Sequence, residues 1–501
     1  MKSEHPIWRG ALILTAAGFA SRLIGFFYRI FLSHAIGAEG VGIYQLIFPV
    51  YAMTCSLTVS GIQTAISRHV SAKTATGDRE GAGKVLAAGL LLSLGLSVPV
   101  AFFVYGNAEF IASRLLLEAR CAPLLRLTAW AAPLGCIHSC LHGYFYGLKR
   151  TDVPAVSQLL EQLSRIGASY LIFCIFLEKG LTPSPVLAAA GMVVGELVST
   201  LFTATAFLFR KEPARTRKPV LPDRQAFSNI LSMAVPLSAN RAMLNLLQSI
   251  EAACIPRQLQ VYGLTSAESL SLYGVLTGMA MPLILFPSAI TNALSTMLLP
   301  SVSEDLSLNK TEKICQTVER TIDSSLWLGI FCTGAFLLTG NDLGRFLFGS
   351  ELVGPFILVL AWICPFLYLG TTMTSVLNGM GKTLQTFLQH MASLIIRILF
   401  VWFAVPSYGI QGYLWGVLVS QLLLAFLAVF SLYRQLHFRI DLGGWVVRPC
   451  LSMAVSAGVY LFFAFLQNTF SLPFPNLLKL SVSGLAMAAC FFFFMYLAHA
   501  E

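Results

Sequence analysis

Charge is what this sequence has least of. Asp, Glu, Lys and Arg make up 11% of its 501 residues, less than half the share of about 25% in a soluble globular protein. So few charges cannot cover a water-facing surface of the usual area, which excludes an ordinary soluble enzyme and a disordered tail alike. Cys-x-x-Cys pairs are missing too. The eleven cysteines are scattered, mostly inside apolar runs, and read as small buried hydrophobes rather than as a disulfide or metal framework. Catalytic signatures are equally absent: no Gly-rich loop ending in Lys-Ser or Lys-Thr, no HExxH, and no acidic pair on an outer loop suited to a glycosyl transferase. The one adjacent acidic pair, Glu304-Asp305, falls on the expected inner side. Neither an enzyme nor a cofactor is expected, and energy would come from an ion gradient or substrate turnover rather than from bound ATP. No cleavable leader is expected either, because Lys2–Arg9 is short and mixed and no A-x-A site follows the first apolar run.

What the chain has instead is apolar length. It is 56% hydrophobic, with a mean hydropathy of +0.74. Continuous apolar runs such as Leu451–Leu466 and Leu480–Ala498 suit spanning helices of roughly 20 residues and not the short alternating strands of a membrane barrel. The fold class read from this pattern is all-α and polytopic, with about 14 transmembrane helices. Six are expected near 8–34, 42–68, 84–106, 121–147, 153–177 and 184–209, and six more near 226–256, 269–300, 317–340, 355–380, 384–405 and 411–433. The last two lie near 444–467 and 475–498. The domains expected are a first six-helix lobe at 1–209, a basic cytoplasmic linker at 210–225, a second six-helix lobe at 226–436, and two further helices in 437–501.

The net charge of +10 would suggest nucleic acid in a soluble protein. Here it sits in short loops and sets topology instead, with no nucleic-acid partner expected. With the N-terminus in the cytoplasm, the segmentation above puts twenty Lys and Arg residues inside and five outside. That asymmetry supports an even helix count and cytoplasmic placement of both termini in the cell membrane.

The two expected lobes also match each other. Ala38-Glu39 followed by Tyr44 matches Ala267-Glu268 and Tyr273. Gly147, Thr151 and Arg165 match Gly379, Thr383 and Arg397. Gly191-x-x-x-Gly195-x-Leu197-Val198-Ser199 matches Gly412-x-x-x-Gly416-x-Leu418-Val419-Ser420. The matches keep their order, and six helices per half make the repeat parallel, with a cleft expected between the lobes.

Ionisable residues inside spans are costly and tend to face a cavity or a partner. Arg22 and Arg29 lie on one face of the first helix. Glu161 and Arg165 are one turn apart in the fifth, Glu196 is in the sixth, Arg241 and Glu251 are in the seventh, and Arg397 is in the eleventh. Guanidinium groups bind phosphate through paired hydrogen bonds, so Arg22, Arg29, Glu161, Arg165, Arg241, Glu251 and Arg397 are the candidate substrate site for an anionic head group such as a lipid pyrophosphate. The competing reading is neutralisation by a nearby acid. Glu161 with Arg165 fits it, and Glu251 is placed to pair with Arg22 across the cleft. Gln63, Glu196 and Asn292 are further candidates to line the cleft, Gln63 and Asn292 being equally suited to bonding helix to helix.

Cys136, His138, Cys140 and His142 imitate a metal cluster. On a helix, however, the cysteines and histidines fall on nearly opposite faces, so no metal site is expected. The Gly191 and Gly412 segments read as close-packing sites. Pro49, Pro99, Pro133, Pro236, Pro282, Pro287 and Pro365 interrupt spans as kinks or hinges.

Two segments carry a resemblance. Ile36-Gly37-Ala38-Glu39-Gly40-Val41-Gly42-Ile43-Tyr44-Gln45, after an Arg-bearing first helix, and Ser60-Gly61-Ile62-Gln63-Thr64-Ala65-Ile66-Ser67-Arg68 resemble the stage V sporulation protein B family. That family sits in the polysaccharide-transporter branch of the MOP superfamily, beside the lipid II flippases, O-antigen flippases and MATE exporters. The resemblance implies a MATE-like and MurJ-like fold and an alternating-access flippase for an undecaprenyl-linked precursor of spore cortex peptidoglycan. It implies arginines in a central cavity, for which Arg22 and Arg29 are the matching positions. The partners implied are a lipid-linked glycan, membrane lipids, a coupling ion and cell-wall synthesis enzymes. The rival functions are a MATE-type cation or drug antiporter, which calls for an acid in the first lobe's cleft, and a membrane scaffold that transports nothing.

Overall fold

The computed structural model describes residues 5–209, 222–469 and 476–500, and every regular element among them is helical. Helices α1 (5–36) and α2 (38–75) run on from one another. α3 is Arg79–Gly106, and α4 is the bent pair Ala119–Ala129 and Ala131–Gly147. α5 is Asp152–Glu178, α6 Val186–Leu208 and α7 Arg224–Val261. α8 (266–307) is interrupted at 286–287. α9 is Thr311–Phe348, α10 Val353–Gly379, α11 Thr383–Phe403, α12 Ile410–Leu436, α13 Gly443–Gln467 and α14 Asn476–Ala500. The basic linker falls, as far as residue 221, outside the described residues.

Among the described residues eleven helical runs are long and apolar enough to cross a membrane, or twelve if the bent α4 counts as one, against the fourteen expected. The difference has two sources. Ile13–Ala75 is one run of 63 residues, although at 1.5 Å per residue it reaches about 95 Å, three times the thickness of a bilayer core. The loop expected between the first two spans shrinks to Gly37, whose φ of 68° and ψ of 176° break the helix in a region glycine alone enters freely. The other is α14, a helix of 25 residues of which only Ser481–Met495 is fully described and enters that count. The prolines act unevenly. Pro49, Pro99 and Pro236 lie within continuous helices, whereas Pro287 caps the restart of α8.

The chain forms two compact units, 1–274 and 275–501, so α7 and the first part of α8 belong with α1–α6. In the first unit, α2, α3, α4 and α7 share a core that includes Ile66, Val70, Val85, Tyr144 and Ile230. In the second, α8, α9, α10 and α12 share one built around Val302, Val318, Met373 and Leu432. There, α13 and α14 form a separate cluster around Met453, Phe491 and Met495, packed on Trp327 and Phe331 of α9. Large apolar side chains such as Phe103, Leu171, Phe403 and Phe465 stand exposed, as on a surface that meets lipid. Lipid tails are as apolar as leucine, so close approach of small residues holds such helices together.

The repeat read in the sequence extends to contacts. A Cβ on Gly147 would press on Val70 and on the Ser67 carbonyl. One on Gly379 would press on Val302 and on the Leu299 carbonyl. These neighbours are related by the same offset as the glycines (147 to 379, 70 to 302, 67 to 299). The segments matched around Tyr44 and Tyr273 lie side by side, Gly42 against Leu270 and Gly274 against Ala38.

Candidate functional site

The first unit gathers most of the predicted charged residues. On α1, Arg22, Gly25 and Arg29 are spaced by three and four residues and share a face. Gly25 meets the Gln162 amide of α5 so closely that a Cβ there would lie 2.9 Å from Nε2. Arg22 is exposed and makes no ion pair among the described residues, so the pairing expected with Glu251 is not made. Arg29 is half-buried and engaged, and Glu251 is buried and engaged. At the residue before Arg29, Tyr28 Oη and Ser169 Oγ of α5 are 2.7 Å apart. Arg165 pairs with Glu161 on the same helix, as the spacing predicted. Arg241 of α7 donates from Nη1 to the Ser60 carbonyl of α2 at 3.3 Å rather than to an acid.

Beside these residues lies a buried polar cluster with Glu196 at its centre. Tyr51 Oη of α2 donates to Glu196 Oε1 at 2.9 Å, and His138 Nδ1 of α4 lies 3.1 Å from Oε2. Gly135 makes room, since a Cβ there would come within 3.3 Å of both Glu196 Oε2 and Tyr51 Oη. Gly191 and Gly195 press α6 onto the α5 backbone at Arg165 and Glu161, so the two carboxylates sit on adjoining helices. His142, one turn on, lies beside His138 with ring centroids 5.0 Å apart and the rings tilted by 59°.

Sequence reasoning named Glu196, Glu161 and Arg165 but missed His138 and Tyr51. A signal for His138 existed: Gly135, His138 and His142 form a stripe at helical spacing. Its partner, 58 positions along in α6 (138 to 196), is beyond any local pattern. The opposite faces expected for the cysteines and histidines are observed. Cys136 Sγ donates to Thr58 Oγ1 at 3.3 Å and Cys140 Sγ to the Gly89 carbonyl at 3.8 Å, while His138 turns to Glu196. Gln63 is half-buried on α2, its carbonyl against Gly143 of α4.

Arg397 and Asn292 belong to the second unit. Arg397 is half-buried and engaged. Asn292 Nδ2 donates to the Ser288 carbonyl at 2.8 Å, a bond within its own helix. At the ends of spans the ion pairs are ordinary, such as Arg126 with Glu109 at 2.7 Å, both exposed.

Chemically, the arrangement offers guanidinium groups on α1 for an anion, and beside them a carboxylate held by a tyrosine and a histidine. A family model described as "Polysaccharide biosynthesis protein" matches residues 7–305. Stage V sporulation protein B of Bacillus subtilis (strain 168) is 29% identical over 88% of this chain and 86% of its own length. Among solved structures, the lipid II flippase MurJ in an inward closed conformation aligns with a TM-score of 0.74 over 98% of this chain and 99% of its own, at 12% identity. An inward-facing multidrug resistance MATE transporter of the MOP superfamily aligns at 0.67 over 83% and 94%, at 16% identity. The fold is therefore the MurJ and MATE fold, and the resemblance read from residues 36–45 and 60–68 extends over most of the chain. The family model covers well over half of the chain, and the fold is that of multi-pass membrane proteins.

Proposed function

The chain belongs to the polysaccharide biosynthesis protein family, and from that premise we propose that it is an alternating-access flippase for an undecaprenyl-linked cell-wall precursor resembling lipid II, serving spore cortex peptidoglycan. The names of its relatives supply the substrate class. The observation that carries the reading is the face of α1, where Arg22 stands exposed without an acid and Arg29 follows on the same side. A lipid pyrophosphate supplies the anion that Arg22 lacks, and guanidinium groups receive it through paired hydrogen bonds. The isoprenoid tail stays in the bilayer. In this reading the lobes 1–209 and 226–436 rock about the substrate. Arg241 and Arg397 complete the cationic lining, Glu161 restrains Arg165, and Gln63, Glu196, Glu251 and Asn292 supply polar contacts. Both termini face the cytoplasm, a coupling ion drives the cycle, and cell-wall enzymes receive the product.

The test is lipid II accessibility on the outer leaflet of cells depleted of their own flippase and supplied with this protein. Wild type is expected to restore it and Arg22→Ala and Arg29→Ala to lose it. Restoration by none of them, at good membrane expression, would reject lipid II as the substrate. Restoration by all would remove the arginines from the site.

One observation favours a second reading, a MATE-type cation antiporter: the buried Glu196 carboxylate between Tyr51 and His138 in the first unit. It predicts cation or drug export that Glu196→Gln abolishes and Arg22→Ala spares, the reverse of the flippase pattern.

A further inference from the structure

The second unit holds a cavity of its own. It measures about 390 Å³ and lies where α9, the turn leading into α13, and the end of α14 meet. Its wall is apolar: Trp445 and Met495 are buried and Trp327 is half-buried. Its rim carries three carboxylates and three guanidinium groups, which a bare count makes neutral. The rim is neutral overall, but its charges are not all paired with one another. Glu319 Oε1 accepts the backbone N–H of Arg439 at 2.9 Å, and Asp441 Oδ1 accepts that of Gly444 at 2.9 Å. Both acids are therefore tied to the backbone of the turn. Asp323 and Arg448 are engaged as well. Arg320 and Arg439 remain, exposed, with no carboxylate for either guanidinium among the described residues.

Two guanidinium groups above an aromatic floor suit a phosphate ester whose attached chains lie in the bilayer. Tryptophan is the usual anchor at head-group depth, and Arg320 and Arg439 fall in the segments that the charge asymmetry assigns to the cytoplasm. A volume of about 390 Å³ is at the small end of ligand sites, enough for a head group without its tails. We infer that this cavity binds the phosphate-bearing head group of an inner-leaflet lipid, a second anion site separate from the arginines of α1. A lipid held there ties α9 to the two final helices. The inference does not depend on what the protein transports.

An anionic phospholipid and an undecaprenyl pyrophosphate share this chemistry, and so does free phosphate. The test is native mass spectrometry of the purified full chain, offered phosphatidylglycerol or phosphatidylcholine. Wild type and Arg22→Ala are expected to retain one phosphatidylglycerol with about tenfold preference, which the Arg320→Ala/Arg439→Ala double variant loses. Competition by undecaprenyl pyrophosphate would identify the isoprenoid as the occupant, and its failure to compete would identify the phospholipid. Displacement by inorganic phosphate at equal concentration would reduce the cavity to a plain anion site and overturn the lipid assignment. Equal retention of the two phospholipids, or unchanged retention in the double variant, would overturn the site itself. Should the double variant fail to fold, a photoactivatable phosphatidylglycerol decides on wild type alone. Labelling within 319–327 or 439–448 supports the site, and labelling only elsewhere rejects it.

Discussion

In the first unit, His138, Glu161 and Glu196 stand on α4, α5 and α6. The repeat places Gly370, Ser393 and Val417 at the matching positions of the second. The packing around these positions is shared. Gly147 and Gly379 meet matched neighbours, and hydroxyls join the paired helices in both units, Ser157 with Ser199 at 2.7 Å and Ser393 to the Ser420 carbonyl at 3.0 Å. Arg165 and Arg397 occur in both, yet only Arg165 has an acid one turn before it. The skeleton that lets helices approach is thus separable from the charges it carries. The polar cluster built on these positions belongs to the first unit alone.

The comparison is broken most readily at Glu196. Glu196→Ala leaves Tyr51 without its buried acceptor and His138 without the carboxylate beside it, and is expected to cost about 3 kcal/mol or more. The matching Val417→Ala leaves only a small void and costs about 1–2 kcal/mol. Thermal unfolding in one detergent compares them, and equal losses would mean that the carboxylate is no more than packing. The shared skeleton is tested by Gly147→Ala and Gly379→Ala. Each pushes a methyl into a valine and a carbonyl, and each should destabilise by about 1–3 kcal/mol. A large effect at only one would end the equivalence.

A finer contrast is Gly135→Ala against Gly370→Ala. At 135 the new methyl meets Glu196 and Tyr51 at 3.3 Å, whereas at 370 nothing lies nearer than 3.8 Å. The first is expected to lose about 1 kcal/mol and the second to be neutral or to gain up to about 1 kcal/mol from helix propensity. The smallest effect lies outside both clusters. Asp78 caps α3 by accepting the Gly81 N–H at 2.7 Å and pairs with Lys73 at 2.9 Å. The Lys73 ammonium, and then that N–H, hold its carboxyl below the usual range. Its contribution is full above the ordinary carboxylate pKa and is lost as pH falls through the lowered one. Asp78→Ala should therefore cost about 1 kcal/mol or less near neutrality and flatten the acid side of the stability profile.

Much of this was legible because lipid imposes simple rules. Apolar length gave the helices, and the Gly147 and Gly379 match gave contacts as well as sequence. Glu161 and Arg165 were readable because an ion pair one turn apart is local. The bend at Gly37 was hidden, since a glycine in an apolar run marks a break only when its φ is known. Glu196 was singled out as a charge, but Tyr51 and His138 come to it from other helices, and no spacing along the chain encodes that meeting. Arg22 and Glu251, equivalent in the repeat, do not pair in this conformation, since equivalence alone does not bring side chains together.

The central claim is that the arginine face of α1 receives a lipid pyrophosphate. Binding of undecaprenyl pyrophosphate to the purified full chain tests it most directly, with Arg126→Ala, whose side chain is paired and exposed, as the cationic control. The account predicts that Arg22→Ala and Arg29→Ala each weaken binding by about tenfold to a hundredfold, the worth of a charged hydrogen bond, while Arg126→Ala binds as wild type. Equal affinity in all four proteins would contradict it.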